Sequence, residues 1–146
     1  MIAAIVVIFD RITKIYVERH FGVPYGPRQV VDHILYLTVT RNAGAAFGLF
    51  QNFTVGFLLI SGVVMVAILI YYWRLPSSDW SARVGLALVF GGAIANAYDR
   101  GIKGSVVDFI QVPHWPIFNV ADSAISVGVV VLLVGTVWRS GRSRRA

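Results

Sequence analysis

Three long stretches of this chain carry almost no charge, and they decide what it can fold into. From Asn42 to Trp73 there is no Asp, Glu, Lys or Arg. The same holds from Val84 to Tyr98, and from Phe109 to Trp138 the only such residue is Asp122. Crossing the hydrocarbon core of a bilayer takes about 20 predominantly apolar residues. Soluble domains are about 25% charged, whereas this chain is 14% charged and 57% hydrophobic, with a mean hydropathy of +0.71. The 146 residues therefore read as one integral membrane domain.

Four apolar segments can be placed, at about 2–17, 54–73, 80–97 and 121–138. The first carries Asp10, Arg11 and Lys14 in its second half and is short for a span. Met1 to Phe9 lacks a basic leader and a small-residue cleavage site, so it is not expected to be a removable signal peptide. Four spans put both termini on one side. Arg139, Arg142, Arg144 and Arg145 follow the last segment, which makes that side cytoplasmic by the positive-inside rule. They also explain the net charge of +6 without nucleic acid. The outer connections hold positive charge too (Arg19, Arg28, Arg41, Arg100, Lys103), so the tail decides. There is no cysteine, which removes disulfides, thiolate metal sites and a cysteine nucleophile.

The fold class expected is an α-helical membrane protein of four transmembrane helices with a small extracytoplasmic β-sheet. His33 to Arg41 is rich in β-branched and aromatic residues and predicts a strand. Asn42 to Gly48 follows as a small-residue turn or second strand, giving an outer β region over about 31–50.

The chain has seven acidic residues. Asp99, Asp108 and Asp122 fall within 24 positions, all expected at the outer membrane face. A carboxylate in apolar surroundings is costly. Two that share a proton form an acid/base pair. Asn96 and Asn119 each stand three residues before an aspartate, a spacing that shares a helix face. Plainer readings stand beside this one. Asp122 can cap the fourth helix, Asp108 can pair with Arg100 or Lys103, and the adjacent Asp99 and Arg100 can anchor a helix end. His114 beside Trp115 reads as interfacial. Two other function classes use such carboxylates: a proton- or ion-coupled transporter, and a metal-dependent hydrolase with Asp99, Asp108, His114 and Asp122 as ligands. The transporter predicts midplane carboxylates and an internal repeat, and neither is visible. The hydrolase lacks the tight helical ligand spacing of common zinc sites.

Five blocks in order carry a more specific signal. They are Asp10-x-x-Thr13-Lys14, Asn42-A-G-A-A-F-Gly48, Gly91-Gly92-A-I-A-Asn96-A-Y-Asp99-Arg100, Gly104-S-Val106-V-Asp108-Phe109, and Phe118-Asn119-V-A-Asp122-Ser123-A. Together they resemble lipoprotein signal peptidase, also called signal peptidase II, over essentially the whole chain. It departs at Ala95, where many relatives have Gly, and in a shorter first segment. The resemblance implies a single membrane peptidase domain over 1–146. It implies an aspartic endopeptidase of the bacterial cytoplasmic membrane that cuts prolipoproteins before a diacylglyceryl-modified cysteine. It places the catalytic pair on Asp108 and Asp122. Supporting or substrate-binding roles fall on Asn42, Asn96, Asp99, Arg100, Asn119, Asp10 and Lys14. No metal or other cofactor is expected. The partners expected are the lipidated signal peptide and membrane lipid, with the enzyme a monomer.

Overall fold

The computed structural model describes residues 1–44, 50 and 53–143. Four helices, α1 (Ile2–Phe21), α2 (Thr54–Arg74), α3 (Trp80–Lys103) and α4 (Val120–Ser143), alternate with three strands, β1 (Tyr25–Val31), β2 (Leu35–Asn42) and β3 (Val106–Gln111). The helices outrun the apolar segments read from sequence. α1 reaches 20 residues, about 30 Å at 1.5 Å per residue, because Asp10 and Lys14 in its polar stretch are buried against protein partners. α2 and the Val120–Trp138 part of α4 are long and apolar enough to cross a membrane. α1 and α3 carry charges that turn inward: Asp10, Lys14 and Asp99 are all buried.

The interior of this helix group is rich in glycine and alanine. Helix association in lipid relies on close backbone approach and van der Waals contact. A Cβ placed on Gly92 would lie 2.4 Å from the Ala121 carbonyl oxygen. One on Gly85 would lie 2.8 Å from the Gly128 oxygen, and one on Gly91 2.8 Å from the Ala3 oxygen. α3 therefore presses directly on the backbones of α4 and α1. α2 packs mainly on α3 and has no buried residue, so it lies at the edge of the group.

The sheet has strand order β1-β2-β3, antiparallel throughout. The strand read at His33 to Arg41 is found as β2. β1 and β3 were not read from sequence, and positions 45–49 of the expected outer β region lie outside the described residues. Val17, Val39, Val107 and Phe109 form the core beneath the sheet, joined by Phe21, Leu37 and Val120. The sheet thus rests on the end of α1 and the start of α4. Glu18 ties it down further, with Oε1 3.2 Å from Arg41 of β2 and Oε2 2.8 Å from Lys103 of α3. α3 ends at Gly104 in the left-handed conformation (φ 71°), which glycine adopts without a Cβ clash. That turn sends the chain straight into β3.

Candidate active site

Side chains alternate across a strand. In β3, Val107 and Phe109 enter the core beneath the sheet, so Val106 and Asp108 take the opposite face. There they line a cleft of about 390 Å³ with Asn42, Gly44, Asn96, Arg100, Trp115 to Phe118, and Asp122. Asp108 pairs in register with Thr40 of β2, and Asn42 pairs with Val106. The Asn42 amide thereby donates to Asp108 Oδ2 at 3.1 Å.

The chain between β3 and α4 folds back on the strand. Phe118 N donates to the Ile110 carbonyl oxygen at 2.9 Å, and Ile110 N to the Phe118 oxygen at 2.8 Å. This return sets Asn119 beside Asp108, and its Nδ2 donates to Asp108 Oδ1 at 2.7 Å. Asn119 also starts α4. The Asp122 N–H donates to Asn119 Oδ1 at 3.0 Å, while Asn119 N donates to Asp122 Oδ2 at 3.2 Å. This is a reciprocal capping box, with Asn119 at the cap and Asp122 three residues on. The sequence reading made Asp122 a possible cap; the cap is Asn119, because its side chain precedes the first helical residue. Asp10 of α1 accepts from the next orphan donor, Ala121 N, at 2.9 Å.

Asn96 of α3 completes the ring, donating from Nδ2 to Asp122 Oδ1 at 2.7 Å. All four oxygens of the two carboxyls thus accept at least one N–H. Hydrogen bonds of this kind favour the ionised form, while burial and a like charge oppose it. For Asp108, burial dominates and the Asp122 charge adds to it. The hydrogen bonds from Asn42 and Asn119 act the other way, and its pKa is pushed up to about 6.

Behind the pair lies a buried ionic cluster. Lys14 Nζ sits 2.7 Å from Asp10 Oδ2 and 2.8 Å from Asp99 Oδ2, and Arg11 lies 3.1 Å from Asp99 Oδ1. Neighbouring residues point about 100° apart on a helix. Asp99 therefore faces α1, while Arg100 faces the cleft, and the two do not act as one adjacent pair. Arg100 donates to the Gly44 carbonyl oxygen at 3.2 Å and stacks over the Phe57 ring at 5.1 Å. Its buried Nε has no hydrogen-bond partner among the described residues. Lys103 goes to Glu18 instead of Asp108. Among the described residues, no group of three His, Asp or Glu side chains gathers as a metal-ligand set.

All nine candidate residues from the sequence thus fall in one connected centre. Sequence reasoning missed Arg11 and the cleft wall at Pro116 and Ile117. Arg11 had a weak signal in its place beside Asp10. The wall residues had none, because the fold-back that presents them is set by backbone pairing.

Apolar helices folded around a buried polar centre at the sheet-helix junction define a membrane enzyme. Over 97% of its length the chain matches a bacterial membrane enzyme solved by the in meso method at 2.3 Å, with a TM-score of 0.86, 32% identity and 88% of that chain covered. A second such structure, at 1.9 Å, matches 92% of this chain and 89% of its own at a TM-score of 0.81 and 33% identity. The lipoprotein signal peptidase of Geobacillus kaustophilus is 45% identical over 141 residues, 91% of this chain and 88% of that protein. The one from Brevibacillus brevis is 39% identical over 147 residues, 99% of this chain and 97% of that protein. The family model described as signal peptidase (SPase) II matches residues 2–138, and the chain belongs to that family.

Proposed function

We propose that this chain is a membrane aspartic endopeptidase that removes signal peptides from lipoprotein precursors, with Asp108 and Asp122 as its catalytic pair. The observation that carries the pair is the enclosure of two buried or half-buried carboxyls by N–H donors of Asn42 on β2, Asn96 on α3 and Asn119 at the start of α4, in a cleft that Arg100 and apolar side chains complete. A transporter reading has no support from the family.

Amide hydrolysis needs a proton taken from water and one given to the leaving nitrogen. Two close carboxyls hold one proton between them because both do not ionise easily. The ionised member deprotonates a water while the protonated member polarises the scissile carbonyl. As the amine leaves, the roles reverse. General acid/base catalysis of this kind contributes about 10²–10⁴-fold, and positioning supplies much of the rest. Arg100 Nε, buried at the cleft and free of other acceptors among the described residues, is placed to donate to a substrate carbonyl. Asn42 and Asn119 orient Asp108, and Asn96 orients Asp122.

The finer reading has four membrane-spanning helices in one domain over 1–146, both termini cytoplasmic, and the cleft at the outer face of the bacterial cytoplasmic membrane. Substrate is cut just before a diacylglyceryl-modified cysteine, whose lipid stays in the bilayer, and the enzyme acts as a monomer. The test is incubation of the purified chain with a diacylglyceryl-modified precursor and with its unmodified counterpart. Cleavage of the modified one alone is expected. Equal cleavage of both would remove the lipid requirement, and cleavage of neither would remove the function.

A further inference from the structure

We propose that Lys14 is a positioning residue for the reaction: by fixing the direction of the Asn96 amide, it places the site's negative charge on Asp122 and leaves the proton to Asp108. The inference rests on the reading of these two aspartates as the catalytic pair.

Lys14 is fully buried on α1. Its ammonium is held between the Asp10 and Asp99 carboxylates and donates to Asn96 Oδ1 at 3.2 Å. An ammonium only donates, so the end of Asn96 that faces it must be the carbonyl oxygen. The amide nitrogen is then turned to Asp122 Oδ1, 2.7 Å away. An N–H aimed at a carboxylate favours its ionised form. The opposite orientation would press a carbonyl oxygen against Asp122, and only a protonated carboxyl answers that contact with a hydrogen bond.

Asn119 does not depend on Lys14 in this way. Its Oδ1 accepts from the Asp122 backbone N–H, which also only donates, so its Nδ2 is sent to Asp108 by the helix start itself. Of the two amides bridging the site, one is therefore directed by backbone and the other by Lys14. The weak bond from Asn119 Nδ2 to Asn96 Oδ1, at 3.3 Å, has the same sense and would not hold the orientation alone.

The other charged groups packed around the pair are already matched. On α1, Asp10 joins Lys14 and the Ala121 N–H, Arg11 joins Asp99, and Glu18 joins Arg41 of β2 and Lys103 of α3. α2 offers no charge from Thr54 to Trp73. Arg100 of α3 lies within electrostatic reach of both aspartates, of Asp122 the more strongly, so its charge adds to the same preference. Asp122 sits in the first turn of α4, where helix N–H groups favour negative charge. Asp108 sits in a strand without that field.

The reaction then runs in one direction around the pair. Asp122 takes a proton from water, and the water oxygen bonds to the scissile carbonyl carbon. The carbonyl π electrons move to its oxygen, which takes the proton from Asp108. The C–N bond then breaks, its electron pair stays on nitrogen, and nitrogen takes the proton from Asp122. The new carboxylic acid returns a proton to Asp108, which restores the starting state.

The test is the pH profile of kcat and kcat/KM on a diacylglyceryl-modified precursor for wild type, Lys14→Met, Lys14→Arg and Asn96→Ala, with folding followed by thermal unfolding in detergent. Lys14→Met should lower kcat about 10- to 100-fold with KM nearly unchanged. Its acid limb should move to higher pH, because the carboxylate that takes the water proton loses the N–H aimed at it. Lys14→Arg, which also only donates, should recover much of the rate and leave the limb in place. Asn96→Ala leaves the Lys14 ion pairs intact and guards against loss of folding; it should move the limb in the same direction. Adding Lys14→Met to Asn96→Ala should then cost less than about twofold more. An unmoved acid limb in Lys14→Met or in Asn96→Ala overturns the inference while wild type still cleaves. A wild-type chain that does not cleave would instead overturn the function.

Discussion

At the residue scale, the site is a balance between the cost of burying carboxyls and the donors that answer it. Asp108 is 3% exposed, and its pKa is pushed up to about 6 by burial and then by Asp122. Its unfolded value is 3.8, so the folded state holds the proton more tightly. Stability should therefore fall as pH rises from about 4 to 6 and stay lowered above that. Asp108→Asn removes this penalty. It should be inactive yet more stable than wild type at pH 7 by about 1–3 kcal/mol, and the gain should vanish below pH 4, as thermal unfolding across pH would register. Arg100 offers a second check. Arg100→Lys keeps the charge and loses the planar donor set, so KM should rise about tenfold, one charge-assisted hydrogen bond's worth, with the pH limbs unmoved in steady-state kinetics. The aspartates were legible because carboxylates are rare and expensive in such a sequence. The contacts of Lys14 and Arg11 with Asp99 were not, since residues so far apart in sequence meet only through helix packing.

At the element scale, α3 is the spine of the site. It carries Asn96 and Arg100, and its glycines let α1 and α4 close on it. Gly92 lies against the Ala121 carbonyl oxygen, one residue before Asp122. Gly92→Val should force that first turn of α4 outward. A loss of about 1–3 kcal/mol is expected in thermal unfolding, with a loss of activity larger than stability explains, because Asp122 moves with the turn. Gly85→Ala, near Gly128, should cost similar stability with a much smaller loss of activity. Equal activity loss in both would detach the Gly92 contact from the site. The helices were legible from their charge-free runs, apart from their ends. α1 and α3 continue past the apolar stretch because protein partners satisfy their polar turns. β3 was read as a connection, since six residues containing an aspartate give no alternating pattern; strand pairing with β2 and burial on both faces make it a strand.

At the whole-molecule scale, helices hold one half of the proposed catalytic pair and the sheet holds the other. Asp122 belongs to α4 and Asp108 to β3, and the sheet is fastened by the valine and phenylalanine core and by Glu18. A bound substrate should dry the cleft further, which raises a buried carboxyl's proton affinity. The alkaline limb of kcat, which reports the complex, should therefore lie at higher pH than that of kcat/KM, which reports the free enzyme. Coincident limbs would mean that binding leaves the site as wet as before. The central claim is that two carboxyls, one from each half, perform the cleavage together. Its most direct test is the single-turnover rate of Asp108→Asn and Asp122→Asn on a diacylglyceryl-modified precursor, each shown to be folded and membrane-inserted. Each rate should fall at least about a thousandfold; near wild-type turnover by either variant would contradict the account.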